Sequence, residues 1–415
     1  MSLNWLYLDL NSYFASVEQQ INDKLRNKPV AIVPTLTDAT CAIAASYEAK
    51  SYGIKTGTMI YEAKRLCPEL ICIQANHENY VEYHHKILTE INKYIPIEII
   101  ASIDEVACKL IGKECQEYQA RQLAKTIKKG LEKNIGEYIR CSIGIAPNRF
   151  LAKTASNLEK PNGLQILYSK DVPKRIKHFR LSDLTGIGRA MEYRLHTSGI
   201  LSIEELYTIS PKHMRKLWGN VHGERFWHML RGTEIPIETT QRTTIGHSHV
   251  LDPKLRKINS AKLVMNRLLL KAASRLRRLQ YYTSSINISF RTENGLKTKG
   301  TKKFYRACDN ITLLNEGNKI WNELIKKNNF KRIKKISITF LKLKKKSELQ
   351  PDFFEKTIKI QTTNRLESLS KAMDNINSKF GRDSIALGNI PNKVHSFSGT
   401  KIAFTRIPDR KEFNE

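Results

Sequence analysis

The chain has 415 residues, 40% of them hydrophobic, enough for two to four domains at roughly 150 residues each. Seventy Lys and Arg against 40 Asp and Glu leave a formal charge of +30, which calls for a polyanionic partner, nucleic acid ahead of an anionic membrane surface. Seven cysteines, an odd number with no C-x-x-C pair, exclude a disulfide framework or a zinc site as the organising device and fit a reducing compartment.

The N-terminus, MSLNWLYLDLNSYF, lacks a basic leader and carries Asp9 inside its only apolar stretch, so no secretion signal is read there. No window approaches 18 uninterrupted apolar residues, and the expected location is the cytoplasm, without membrane contact. Trp5–Leu10 reads as a buried strand that carries Asp9 to a strand-to-helix junction. In the helix that follows, NSYFASVEQQI, residues Phe14, Val17 and Ile21 fall on one face. Further on, IEIIASIDEVACKLIG reads as two short strands joined near Ala101–Ser102, with Asp104 and Glu105 opening the second.

An acidic pair in an apolar strand is costly to bury without a compensating cation. Taken alone, an Asp-Glu dipeptide is best read as salt-bridged or solvated. Three carboxylates converging at adjacent strand ends would instead form an all-oxygen site suited to Mg²⁺ and substrate phosphates. Two-metal phosphoryl transfer needs that arrangement.

The polar, Thr-rich stretch PIETTQRTT at 236–244 reads as a linker. Beyond it the charge concentrates, with 27 Lys and Arg against six acids over residues 241–350. Between Ser260 and Gln280 apolar residues recur at helical spacing opposite Arg and Lys. TSSINISFRTENGLKTKGTKKFY and KRIKKISITFLKLKKK alternate β-branched or aromatic residues with bases, as half-buried strands with one basic face do. A helix-backed basic sheet can track phosphates without reading bases. From Leu349 to Glu415 the composition predicts a partly mobile tail with one amphipathic helix around Leu366–Phe380.

LYLDLNSYFASVEQ, AASYEAKSYGIKTG, ASIDE, SIGIAPNRFLAKTASNLEKPNG and LTGIGRAMEYRLHTSGI occur in an order and spacing that resembles the Y-family translesion DNA polymerases. The resemblance covers roughly residues 1–350 and implies an α+β multidomain right hand. Its parts would be a ferredoxin-like palm (1–19 and 77–166), small fingers (20–76), a helix-hairpin-helix thumb (167–235) and, past the 236–244 linker, a basic α/β little finger (245–348). It implies a template-directed, low-fidelity enzyme that adds dNMPs to a primer 3′-OH and releases pyrophosphate.

Carried over by position, Asp9, Asp104 and Glu105 look like the catalytic carboxylates for two Mg²⁺ ions, with the Leu10 carbonyl a further ligand. Phe14 falls where the family places a ring that excludes a 2′-OH, and Tyr13 beside it is expected at the nucleotide. Tyr47 and Lys50, one helical turn apart, and Lys160 in EKPNG are expected on the triphosphate. The sequence departs from the family at Lys50, where Arg is usual, and at Ala44, where a hydroxyl is common; Lys is a point charge where Arg is a fork. Gly186, Ile187, Gly188 and Arg189 look like the phosphate-binding turn of the thumb, and Arg242 and Arg291 are expected DNA contacts of the basic module.

Gln350-Pro351-Asp352-Phe353-Phe354 is similar to a bacterial sliding-clamp-binding peptide, with Gln350, Phe353 and Phe354 as its anchors. KAMDNINSKFGRDSIALG resembles the extension of UmuC-like members, which implies an accessory subunit, whereas the catalytic segments look equally like the DinB-like branch. Two rivals stand beside the polymerase. One is a non-catalytic DNA-binding scaffold of the same fold that recruits a clamp; the other is a nucleotidyl cyclase, whose chemistry gives no reason for the basic module.

Overall fold

A computed structural model describes residues 2–236, 241–328, 331–349, 357–381, 384–388 and 407. The chain divides into two compact units, the first spanning Met1–Ile237 and the second opening at Glu238. Among the described residues no helix is long and apolar enough to cross a membrane.

The first unit opens with β1 (Trp5–Leu10), buried at every position. Then comes α1 (Tyr13–Ile21). Its predicted face is only partly the packed one: Val17 is fully buried and Phe14 half-buried, but Ile21 is 46% exposed on the last turn. A small sheet of β2 (Val30–Val33), β3 (Ala44–Ala45) and β4 (Ile71–Gln74) packs with α2 (Tyr47–Ser51) and α3 (Ile60–Leu66) around Ala31, Ile54, Ile60 and Ala63.

Next are α4 (His77–Ile91), β5 (Ile99–Ser102), β6 (Glu105–Lys109), α5 (Glu117–Asn134), β7 (Cys141–Ala146), α6 (Arg149–Leu158) and β8 (Leu164–Ile166). With β1 the strands form a five-stranded sheet in the order β5-β6-β1-β7-β8. β1 is therefore central and antiparallel to both neighbours, so its carboxyl-bearing end meets residues of β6 and β7. Four helices complete the unit: α7 (Arg189–Thr197), α8 (Ile203–Thr208), α9 (Pro211–Trp218) and α10 (Val221–Leu230). Leu195, Ile203, Leu206, Met214 and Phe226 join them to the α6 side of the sheet in one apolar cluster.

The second unit contains β9 (Ile245–Val250), α11 (Ile258–Arg278), β10 (Tyr281–Thr292), β11 (Lys297–Ala307), α12 (Asn310–Asn328), β12 (Ile333–Leu341) and α13 (Thr357–Phe380). Its antiparallel sheet runs β11-β10-β12-β9. Ile286, Ile288, Phe290, Ile336, Ile338 and Phe340 are buried in a core shared with Leu268 and Leu269 of α11 and Leu313, Ile320 and Trp321 of α12. The alternation noted in the sequence is thus the alternation of a helix-covered face with an open one.

The tail differs from expectation. The predicted helix begins at Thr357, nine residues before Leu366, and it is docked. Ser370 and Met373 are buried, and the Arg277 guanidinium, itself buried, holds both Asp374 oxygens at 2.6 and 2.8 Å. Arg277 also donates to Cys308 O and Asn310 Oδ1, while Tyr282 donates to Glu367. Composition missed this because Leu369, Ile376 and Phe380 stay exposed and the helix is held mostly by polar contacts. The clamp-like residues Gln350, Phe353 and Phe354 lie outside the described residues, as does part of the linker, 237–240.

Removing one partner of a buried charge pair leaves the other without compensation. Asp374→Ala is expected to destabilise the second unit by about 2–3 kcal/mol, read as a lower urea midpoint at unchanged slope; an unchanged midpoint would show that α13 adds nothing to the unit.

Candidate active site

Asp9 is paired across the sheet with Glu105 on β6 and with Ser142 on β7. The hairpin between β5 and β6 turns on Ile103-Asp104, because Ser102 pairs with Glu105; the sequence reading had placed this turn two residues too early. The Leu10 N–H donates to Asp104 O at 2.8 Å, which ties the hairpin to the end of β1. These contacts place Asp9, Asp104 and Glu105 on neighbouring backbone positions, and the sheet register alone suffices to do it.

Each carboxylate has a different environment. Glu105 accepts from the Tyr7 hydroxyl at 2.8 Å and from the Lys153 ammonium. Burial pushes its carboxyl up, but Lys153 and Tyr7 together outweigh burial and leave it below its ordinary range. Asp9, 7% exposed, receives Lys160 at 2.8 Å on one oxygen and has Lys153 at 3.6 Å from the other. Asp104 has no ammonium partner in this set. Burial, and then the charges of Glu105 and Asp9, raise its pKa against the opposing Ser102 hydroxyl, which donates to it at 2.5 Å.

Lys153 arrives through a backbone approach. A Cβ on Gly144 of β7 would stand 2.0 Å from Ala152 O and 2.3 Å from Ser156 N, so glycine is what lets α6 lie against the sheet. Sequence reasoning missed Lys153, since a lysine in a helix reads as solvated; the available signal was its apolar flanks, Leu151, Ala152 and Ala155, all buried.

A second cluster adjoins the first. The Lys50 ammonium donates to Ser12 Oγ at 2.7 Å and lies 4.4 Å from the centre of the Tyr47 ring. Although Lys50 is exposed as a residue, crowding of its ammonium end, followed by the like charge of Lys160, lowers its pKa. Tyr47 is pushed up to about 12, by burial first and then by Asp9. Tyr47, Lys50 and Lys160 thus converge beside Asp9, with Ser12, which the sequence reading did not name, as their hydroxyl partner. Phe14 stacks on Tyr80 at 4.3 Å and meets His77 edge-on at 6.2 Å, so its half-buried ring is braced from behind. Tyr13 faces inward, donating to Tyr80 O at 2.6 Å, and is buried. Its hydroxyl is committed to the fold.

A divalent cation fits this donor set by chemistry: all the donors are carboxylate oxygens, and two ammonium groups already stand against them as cations. Among the described residues no three His, Cys, Asp or Glu side chains converge on one point as they stand. Lys153, which reaches both Asp9 and Glu105, takes up part of the space where such ligands would meet.

Elsewhere in the first unit, Gly186 has φ +98° and Gly188 opens α7, giving an exposed turn in front of a helix N-terminus. The Ile187 N–H is already donated to Leu184 O and its side chain is buried, which leaves Gly188 and Arg189 as the outward part of the predicted turn. In the second unit, Arg291 of β10 is exposed and sits in register between Lys297 and Lys335 of the flanking strands, a row of three cations across the open face. Lys299 and Lys303 extend it along β11, and Arg242 is exposed ahead of β9.

The impB/mucB/samB family model matches residues 8–157, a DNA polymerase-iota thumb-domain model matches 182–234, and the impB/mucB/samB C-terminal domain model matches 242–353. DNA polymerase IV of Moorella thermoacetica is 33% identical over 294 residues, covering 69% of this chain and 72% of that protein. The chain belongs to the Y family of DNA polymerases. DNA polymerase IV of Oceanobacillus iheyensis is 28% identical and covers 91% of this polymerase and 90% of its own length. Among solved structures, a Y-family polymerase chimera of Dbh and Dpo4 shares the fold with a TM-score of 0.69 at 21% identity, covering 82% of this chain and 98% of that one. The crystal structure of DinB from Sulfolobus solfataricus aligns at a TM-score of 0.51 and 23% identity, over 81% of this chain and 98% of that one. Family membership carries divalent-metal dependence with it.

His84 of α4 supports the carboxylate hairpin from below. Its Nδ1 lies 2.7 Å from Ile103 O, and because a carbonyl only accepts, Nδ1 carries the proton. Burial pushes its pKa down from 6.5 to about 4. Between those values the unfolded chain binds a proton that the folded chain does not, so the contribution of His84 is complete above pH 6.5 and is lost as the pH falls towards 4. Urea unfolding across this window should show that loss, roughly 3 kcal/mol at its acid end. The slope should flatten in His84→Asn, which keeps a donor but does not titrate.

Proposed function

We propose that the chain is a template-directed DNA polymerase for translesion synthesis, extending a primer 3′-OH with dNMPs through Asp9, Asp104 and Glu105. The observation that carries this reading is the cross-strand pairing of Asp9 with Glu105, with Asp104 one residue away and Lys153 and Lys160 against the first two, beside Tyr47 and Lys50. One cluster suits cations and the other a polyanion, and a deoxynucleoside triphosphate with its metal ions needs both.

Asp9, Asp104, Glu105 and the Leu10 carbonyl would hold two Mg²⁺. When bound, these ions would lower the pKa of the primer hydroxyl and stabilise the leaving pyrophosphate. Lys50 and Lys160 bind the triphosphate as point charges, and Tyr47 donates its hydroxyl proton, which a pKa near 12 keeps in place at neutral pH. The primer oxygen then bonds to the α-phosphorus as the bond to the bridging oxygen breaks. Phe14, braced by Tyr80 and His77, fills the space beneath the sugar where a 2′-OH would lie. The small β2-β3-β4 region leaves few side chains to test the nascent pair, in keeping with low fidelity.

The Lys297–Arg291–Lys335 row, Arg242 and the outward amides of Gly188 and Arg189 would hold the duplex by its phosphates, giving salt-dependent and sequence-independent binding. Gln350, Phe353 and Phe354 would recruit a sliding clamp, and the UmuC-like tail motif leaves room for an accessory subunit. We place the enzyme in the cytoplasm. The scaffold reading is not favoured, since all three carboxylates are retained.

Primer extension on undamaged and abasic templates tests the assignment. Native protein should extend with Mg²⁺, and Asp104→Ala with Glu105→Ala should bind primer-template equally but not extend it; equal binding with no extension by either protein would return the scaffold. Phe14→Ala should raise ribonucleotide insertion relative to deoxyribonucleotide by roughly ten- to a hundredfold, read by single-nucleotide insertion, and an unchanged ratio would remove Phe14 from that role.

A further inference from the structure

We infer that Asn11, Ser142 and Lys128, whose side-chain hydrogen bonds are spent on the 159–163 turn and on one another, are positioning residues that mount this turn and thereby aim Lys160. The inference rests on the reading of Lys160 as a triphosphate contact and deepens it.

The turn that carries Lys160 is held from three elements. Asn11 follows β1, two residues after Asp9, and is 3% exposed. Its Oδ1 accepts from the Asn162 N–H at 2.8 Å, and its Nδ2 donates to Ser142 Oγ at 3.1 Å. Ser142, on β7 and fully buried, donates to Glu159 O at 3.1 Å and accepts from the Gly163 N–H at 3.2 Å. Lys128, on α5, donates to the carbonyls of Asn162 and Gly163. Asn162 sits at φ +59°, in the left-handed region that asparagine tolerates, so the chain reverses just beyond Lys160.

These contacts use nearly all the polar capacity of Asn11. Its main-chain N–H donates to Arg140 O, its carbonyl accepts from Ser16, and both side-chain amide groups are committed to the turn and to Ser142. A buried side chain used so completely holds a single geometry. That geometry joins the strand end bearing Asp9 to the turn bearing Lys160, whose ammonium lies 2.8 Å from Asp9 Oδ1. A lysine with four rotatable bonds is a poor reader of phosphate position unless its backbone is fixed, and here three side chains fix it.

If so, loosening the mount should weaken nucleotide binding without removing any group that meets the nucleotide. The experiment is steady-state single-nucleotide insertion with the full chain, comparing Ser142→Ala, Asn11→Ala, Lys128→Met, Lys160→Met and the double variant Ser142→Ala with Lys160→Met. Primer-template affinity and thermal midpoint are measured for each. Ser142→Ala removes only one oxygen from a buried strand and keeps the test valid if Asn11→Ala folds poorly.

The expected result is a rise of about five- to tenfold in apparent KM for the dNTP in Ser142→Ala and Asn11→Ala, with a smaller one in Lys128→Met. kcat should change by less than about twofold, and the double variant should be no worse than Lys160→Met. An unchanged KM in Lys160→Met would overturn the triphosphate reading of Lys160 itself. A raised KM in Lys160→Met with none in Ser142→Ala, or effects that multiply in the double variant, would overturn the mount and leave that reading standing.

Discussion

Carboxylates gathered on adjacent strand ends repel one another, and the first unit is arranged around keeping that repulsion tolerable. The sheet register makes Asp9 and Glu105 direct neighbours, with Asp104 one residue beyond, and no side chain can move them apart without breaking β1 from β6. Compensation comes from outside the sheet. Lys153 reaches Glu105 because Gly144 lets α6 settle onto β7, and Lys160 reaches Asp9 because the turn after α6 folds back over the same strands. Asp104 is left without an ammonium, and its raised pKa is the local cost of the arrangement. This unequal neutralisation leaves one carboxylate under-compensated, which is what the proposed metal site would require.

The second unit treats charge differently. Its cations on the open face of β10, β11 and β12 lie in rows with few acids among them, and the sheet tolerates this because the side chains point into water. A buried cation in the same unit, Arg277, is by contrast fully provided for. Uncompensated charge at the surface and compensated charge inside are what a phosphate-tracking module needs, since solvent supports the first and only protein atoms can support the second.

What the sequence disclosed follows from the same physics. Asp9, Asp104 and Glu105 were legible because acids stand out in apolar strands, and the basic strands were legible because their period of two is local. β1 matches its predicted bounds, and α11 runs close to the predicted 260–280 stretch. The β5–β6 turn was misplaced by two residues because Ala101 and Ser102 read as well in a turn as in a strand. That Ile21 is exposed although it shares a face with Val17 was not legible, because α1 packs on α4 and the small sheet along its length and ends at solvent, which spacing alone does not reveal. Lys153, Ser12, Ser142 and Asn11 did not stand out, because the contacts that distinguish them run to residues 38 to 151 positions away along the chain.

The docking of α13 changes where the second unit ends. The family's C-terminal domain model stops at residue 353, yet the buried guanidinium of Arg277 finds its carboxylate at Asp374, beyond that limit. Losing either partner would therefore leave the other's charge uncompensated. In relatives that lack a helix equivalent to α13, residue 277 should be uncharged or should have found an acid elsewhere, so positions 277 and 374 should vary together across the lineage even though one lies inside the shared domain and the other outside it.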